Sequence, residues 1–295
     1  ARRVDLTFVF SSAAAQYAPA GVPTILDFCD VDSEKWRQYG ETQPVSRAWF
    51  YRMEARRLLA FDRRQAARAE VSLFVSADEK RIFDRLSPET QAKHAAIANG
   101  VDVAFFDPAK VRPREKAAPT IVFVGVMDYW PNVDAATWFA NEILPLVRAR
   151  HPQARFQIVG AKPAANVLAL ASLPGVEVTG SVDDVRPYVA AADVVVAPLR
   201  IARGIQNKVL EGMAMARPVV TTPGALEGIN AQSGRDLLTG STAGEIAAAV
   251  VRVLDGGAGG LGEAARAFVL TNHEWSANLR ALDVMVDETL RKRRP

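Results

Sequence analysis

The chain has a single cysteine, Cys29, among 295 residues. One thiol closes no disulfide within a chain, so a disulfide framework is excluded, and such usage fits a reducing compartment. By itself Cys29 reads as a small buried hydrophobe in a strand, not as a nucleophile. Histidine is scarce too: His94, His151 and His273 have no metal-ligand spacing and no carboxylate pair nearby. No apolar run reaches the length of a membrane span, and no signal-peptide pattern is visible. The sequence lacks a Gly-x-Ser-x-Gly elbow, a P-loop and any repeat of fixed period. It also lacks a strong charge of one sign: 36 Lys and Arg against 33 Asp and Glu leave +3. That balance argues against a nucleic-acid partner.

What is present is globular in composition, 49% apolar and 23% charged, within the usual range for soluble proteins. The length holds one large or two ordinary domains. Leu6–Phe10, Thr24–Phe28 and Val71–Val75 read as strands, and 46–70 as one long helix. That helix carries seven arginines against Glu54 and Asp62, with Trp49, Phe50, Met53, Leu58, Leu59 and Phe61 as its apolar contacts. A basic amphipathic helix lies on an anionic membrane surface or is a core helix with a solvated face; both readings stand. Asp27, Asp30 and Asp32 cluster at a strand end. They suit either a divalent metal or the cap of a helix whose N-cap is Asp32 or Ser33. Residues 107–118 hold two prolines and four basic residues, the composition of a linker.

Beyond the linker, strands and helices alternate regularly. Strands fall at Ile121–Val124, Arg155–Val159, Val176–Thr179, Asp193–Pro198 and Val219–Thr222, with a short one near Asp236-Leu237-Leu238. Helices fall at 133–150, 164–173, 185–191, 206–216 and 244–254, the last with Thr242 and Glu245 spaced as a capping box. This alternation predicts a parallel, doubly wound α/β sheet with ligands at the carboxyl ends of its strands. Gly125, Gly160, Gly180 and Pro198 sit at those ends. The Gly257-x-Gly259-x-x-Gly262 run follows a helix pattern instead of a strand, so it reads as a surface turn and not as a dinucleotide fingerprint. In Trp130-Pro131-Asn132 the Asn either bonds phosphate or starts a helix.

The densest cluster of chemistry runs from Asp193 to Gly228. A loop with Gly204 enters a short helix, where backbone N–H groups and the helix dipole favour an anion. Arg200, Arg203 and Lys208 add cations suited to a diphosphate. Glu211, one turn into the helix, can accept from two ribose hydroxyls. A basic helix start with a solvated glutamate accounts for the same residues without a ligand.

This segment resembles the donor-site signature of the family 4 retaining glycosyltransferases, which have the GT-B fold. That signature is a Glu, seven residues, a second Glu, a small-residue helix and a Pro-Val-Val strand. Glu211 with GMAMARPVVTT matches its second half, and the first Glu, which contacts the sugar ring in the family, falls on Arg203. FVGVMDYWPNVDAATWF, FQIVGAKP, VEVTGSVDDVRPYVAAADVVVAPL and NHEWSANL follow the family's order from about Pro119 onward. DFCDVDSEKW, MDYWPNVDA and GIQNKVLEGMAM are similar to a bacterial branch associated with exosortase and exopolysaccharide loci. The resemblance implies two Rossmann-like domains facing a cleft: an incomplete acceptor-side domain over 1–112 and a donor domain over 113–272. A helix over 273–295 crosses back to the first domain. An acceptor domain of this fold opens on a strand and glycine-rich turn ahead of such a segment. Truncation is therefore expected, the alternative being a compact member that never had that part.

The implied activity is retaining transfer of a sugar, of hexosyl type, from a UDP- or GDP-sugar to a hydroxyl of a sugar or lipid-linked acceptor. It needs no metal and no cofactor beyond the donor. Lys208 and Arg203 would stabilise the departing diphosphate, and Glu211 would hold the ribose. Gly204, Arg200, Gly125, Gly180 and Val182 would complete the donor pocket. A cytoplasmic location, at the inner face of the plasma membrane through 46–70, follows from a lipid-linked acceptor. A nucleotide-sugar epimerase of the same fold and a non-catalytic nucleotide-sugar-binding protein are the alternatives.

Overall fold

The computed structural model describes residues 4–42, 44–202 and 204–292. It has two parallel sheets, one in each of two compact units. The first unit runs to Asn99 and takes in Gly204, Ile205 and the chain from Ser276; the second holds Gly100–Ala202 and Gln206–Trp275. The division thus falls ahead of the 108–118 stretch where composition places it. The reason is local bonding. Val101 N–H already donates to His273 O at 2.7 Å, and a Cβ on Gly100 would come within 2.7 Å of the Trp275 ring. After that ring the chain changes unit, and Asn278 donates to Ala98 O at 2.9 Å.

The first unit is built from β1 (Thr7–Phe10), β2 (Thr24–Cys29), α1 (Asp32–Thr42), α2 (Val45–Arg68), β3 (Val71–Phe74), α3 (Ala77–Leu86) and β4 (His94–Ala96), paired in the order β1-β2-β3-β4. Its core stacks Phe28 on Phe74 with ring centres 5.4 Å apart, and Phe83 packs on both. The outer strand β1 leaves Phe8 and Phe10 exposed. In α2 the buried line is Ala48, Ala55, Asp62, Gln65 and Ala66. Small residues let the helix pack closely, and Trp49 and Phe50 face out.

Two of the three clustered aspartates have local structural roles. Asp27 Oδ1 accepts from Cys29 N–H at 2.9 Å, and Asp32 is the first residue of α1 and not its cap. The N–H ahead of that helix, on buried Val31, is taken at 2.6 Å by Glu79 of α3. Among the described residues no group of three or more His, Cys, Asp or Glu is arranged to hold a metal ion, and no helix is long and apolar enough to cross a membrane.

The second unit comprises β5 (Thr120–Val124), α4 (Trp130–Trp138), α5 (Leu144–Arg148), β6 (Arg155–Val159), α6 (Ala165–Ala169), β7 (Val176–Gly180), α7 (Arg186–Ala191), β8 (Val194–Ala197), α8 (Asn207–Ala214), β9 (Val219–Thr221), β10 (Leu238–Thr239), α9 (Ala243–Leu254) and α10 (Leu261–Asn272). The last helix, α11, covers Trp275–Arg291. The helix expected over 133–150 is divided: a π turn at Phe139–Ile143 separates α4 from α5. Pro145 has no N–H to offer the carbonyl four residues back, and the widened turn absorbs that loss. The capping box at Thr242 and Glu245 is present, and the glycine run 255–260 is a turn between α9 and α10.

The sheet order is β10-β9-β8-β5-β6-β7, all parallel. Counted outward from β5, this is the strand order of a doubly wound dinucleotide-type fold, and its switch point lies between β5 and β8.

Asp62 gives the first unit a pH dependence. It is 2% exposed, and burial pushes its carboxyl up to about 7, with Asp32 adding to the rise and Ser12 opposing it. The folded state therefore holds this proton more tightly than the unfolded chain does. Stability from this group is full below the unfolded carboxyl range and falls as pH rises toward 7. A shift of that size corresponds to on the order of 4 kcal/mol above neutrality. Denaturant unfolding at pH 4 and pH 8 should show the parent losing more stability across that interval than Asp62→Asn does. Equal losses would mean that Asp62 ionises in the fold without penalty.

Candidate functional site

The carboxyl ends of β5 and β8 carry the candidate site. Gly125 follows β5 and Gly160 follows β6, and their backbones approach closely: a Cβ on Gly160, where φ is +148°, would overlap the carbonyl oxygen of Gly125. Gly125 is crowded from its other side, since a Cβ there would sit 2.7 Å from Asn132 Nδ2. Both positions need glycine because no other side chain leaves room for the turn.

Asn132 lies in the first turn of α4, behind Pro131, and is 4% exposed. Its Nδ2 donates to Val126 O at 2.9 Å, and its Oδ1 accepts from Lys208 Nζ at 2.5 Å. The helix-start reading of this residue is therefore the structural one, and the amide also joins two parts of the site. Lys208 belongs to α8, whose Val209, Leu210 and Met213 are buried. That apolar face fixes which way the polar face turns. The ammonium lies 5.2 Å from the centre of the Phe123 ring, within reach of a cation–π attraction. Burial pulls Lys208 down to about 8, against the attraction of Glu211. Burial likewise raises Glu211, against the attraction of Lys208. Each charge thus pays more in lost water than it gains from the other, which marks a functional-site candidate.

The other residues singled out by sequence are placed less uniformly. Arg200 sits in the loop after β8, but Asp134 of α4 grips it, with Nε–Oδ2 3.0 Å and a second bond from its terminal nitrogen. Its guanidinium also lies 5.2 Å from the Trp138 ring centre. Sequence reading missed this partner; the signal that marks it is a carboxylate, Asp134, within an otherwise largely apolar helix start. Gly204 takes the left-handed conformation at φ +63° and is buried. Gly180 closes β7 at φ +70° with open space where a Cβ would stand, and Val182 follows it, half-buried. These two lie at the sheet's outer strand, beyond β6 from the switch point. Arg203 lies outside the described residues. The structure thus brings together Gly125, Asn132, Lys208 and Glu211, and gives Arg200 to Asp134.

Gly160→Ala and Gly125→Ala should each destabilise the second unit by at least ~2 kcal/mol, through backbone overlap in one case and displacement of a buried amide in the other. Thermal unfolding checks this, and a parent-like melting temperature for either variant would contradict the close approach described.

Residues 118–256 match the family model for glycosyl transferases group 1. No curated protein matches the sequence. Solved structures with a similar fold include a glycosyltransferase from Rickettsia africae, 17% identical, with TM-score 0.69 over 97% of this chain and 77% of its own. Another is the sucrose-phosphate synthase of Thermosynechococcus elongatus, 17% identical, TM-score 0.73, over 96% and 73%. A third is Anabaena HepE in complex with UDP-glucose, 13% identical, TM-score 0.73, over 96% and 79%. The fold is therefore GT-B, an α/β arrangement of two Rossmann-like units, and the stretch similar to the group 1 glycosyl transferases, residues 118–256, lies within the second unit.

Proposed function

We propose that the chain is a retaining glycosyltransferase of hexosyl type. It moves a sugar from a UDP- or GDP-sugar to a hydroxyl acceptor in polysaccharide or glycolipid synthesis, of the kind associated with exosortase and exopolysaccharide loci. The observation that carries the reading is the pair Lys208 and Glu211, two desolvated opposite charges on one helix at the switch point of the group 1 domain. In such a transfer the bond from the sugar's anomeric carbon to the diphosphate breaks, and charge grows on the departing oxygen. A fixed cation in a poorly hydrated site lowers that barrier most. Lys208 fills this role, Glu211 accepts from the ribose hydroxyls, and main chain at Gly180 and Val182 frames the base. Gly125 leaves room for the donor, and Gly204 shapes the loop that enters α8. Arg200 takes part only by leaving Asp134. Arg203 is the second cation of the reading and stands where the family has a glutamate. No metal or further cofactor is required.

UDP-sugars are the first donors to try, since the Anabaena neighbour was crystallised with UDP-glucose. Incubation with UDP- and GDP-sugars should release nucleotide faster when a hydroxyl acceptor is present. A changed sugar with no nucleotide release would point to an epimerase, and binding without reaction to a non-catalytic protein. Glu211→Ala should weaken nucleotide binding by about 1.5–3 kcal/mol. Lys208→Ala should lower turnover roughly 10²–10³-fold with little effect on nucleoside binding. Calorimetry and the release assay check both. Parent-like nucleotide binding by Glu211→Ala would remove the ribose role, and unchanged turnover in Arg203→Ala would leave Arg203 a solvated loop cation.

Contact with an anionic membrane face through 46–70 belongs to the same reading. Val45, Trp49 and Phe50 at the start of α2 are 90%, 61% and 44% exposed, and Arg47, Arg52, Arg56 and Arg57 are exposed beside them. Apolar and aromatic side chains with arginines around them suit the headgroup boundary, where each cation near anionic lipid adds about 1 kcal/mol. The protein should sediment with vesicles containing phosphatidylglycerol and be released by salt. Replacing Trp49 and Phe50 by Ser should abolish most of that binding. Equal sedimentation with pure phosphatidylcholine vesicles, or none with either, would leave α2 a solvated face.

A further inference from the structure

Lys208 and Glu211 stand three residues apart on α8, the spacing at which opposite charges on a helix ordinarily pair. Both are poorly hydrated, which strengthens their attraction. Yet among the described residues no hydrogen bond joins them: the Lys208 ammonium donates to Asn132 Oδ1 instead. We propose that Asn132 is a positioning residue that holds Lys208 away from Glu211, keeping the cation free for a diphosphate and the carboxylate free for a ribose. This inference rests on the diphosphate reading above and adds to it the reason why the two charges do not cancel.

The amide is fixed before any ligand arrives. Its Nδ2 is spent on Val126 O, the backbone of Gly125 closes over it, and the side chain is buried. Only an amide can do this. It donates to a carbonyl on one side and accepts from an ammonium on the other, whereas a carboxylate would repel Val126 O and an alanine would leave both groups unpaired. Its hold on Lys208 also stops short of neutralising it. A neutral acceptor leaves the full positive charge on the nitrogen, with two N–H groups still available to phosphate oxygens. The groups that face Lys208 are Glu211 from its own helix, Asn132 from α4 and the Phe123 ring from β5. Asp134, also on α4, is taken by Arg200.

Inorganic pyrophosphate separates the two charges, because it can use Lys208 and has no ribose for Glu211. Calorimetry across pH should show the parent losing pyrophosphate affinity as pH rises through about 8, where Lys208 gives up its proton. Asn132→Ala should bind pyrophosphate at least roughly tenfold more weakly. Its alkaline limb should move to higher pH, because Lys208 then pairs with Glu211. Adding Glu211→Gln to Asn132→Ala removes that competitor, so pyrophosphate affinity should recover and the limb return toward the parent's. If Asn132 only supports the 125–129 turn, the double variant stays as weak as the single one, and the inference is overturned while the diphosphate reading stands. A folded parent that binds neither pyrophosphate, UDP nor GDP sinks the diphosphate reading and this inference with it. Should Asn132→Ala fail to fold, Asn132→Asp keeps the size and the acceptor. Its added charge must raise the alkaline limb, and an unmoved limb overturns the inference.

Discussion

The close approach of two backbones beyond β5 and β6 is the constraint on which the second unit depends. Gly160 lies directly against the carbonyl of Gly125, so the turn after β5 has one path open to it. That path brings Val126 O to the amide of Asn132, and the amide reaches across to Lys208, 76 positions later in the chain. The start of α4, the turn and the polar face of α8 are thereby fixed by one small set of contacts. They lie where the strand order reverses, the place at which an open α/β sheet leaves a crevice for a ligand. The fold and the candidate site are thus consequences of the same packing.

Most of the second unit was legible in the sequence because its signals are local. Short apolar runs bounded by glycine or proline mark its strands to within a residue or two, and the capping box marks the start of α9. Lys208 and Glu211 were legible as residue types at a helix start. The bond from Lys208 to Asn132 was not, because a side-chain amide that bridges distant segments leaves no periodic pattern. The grip of Asp134 on Arg200 escaped for the same reason, and it changes how Arg200 can act. The π turn before α5 follows from Pro145 once the helix is known to continue past it, but periodicity alone gives a single uninterrupted helix. Linker composition marks 108–118 because it reports solvent exposure, whereas the two compact units divide at Gly100, where the partners of Val101 and Gly100 lie.

In the first unit the ambiguous signals were size and charge. The apolar residues of α2 fitted a membrane surface or a core equally in sequence; in the structure the helix packs through alanines and turns Trp49 and Phe50 outward. Asp27, Asp30 and Asp32 suited a metal or a helix cap equally in sequence; in the structure Asp27 accepts from Cys29 N–H and Asp32 opens α1, while the N–H ahead of α1 is capped from α3 by Glu79. Cys29, in left-handed backbone at φ +65°, sits among those carboxylates. Burial, with Asp27 and Asp30 adding to it, pushes its thiol up to about 12. A thiol that holds its proton so firmly is a poor nucleophile, in keeping with its reading as a packing residue.

The same loss of water has opposite consequences before and after a ligand binds. In the free protein it disfavours charge on both Lys208 and Glu211 and so lowers stability. In the proposed reading, where a diphosphate meets Lys208 and a ribose meets Glu211, the low local polarizability strengthens every bond those charges make, with no reorientation required. A direct ion pair between the two would relieve the free protein of that cost and would equally use up the groups the ligand needs. Asn132 prevents the relief without neutralising either charge. The site is therefore held in a state less stable than its own residues could reach, and that excess is released on binding.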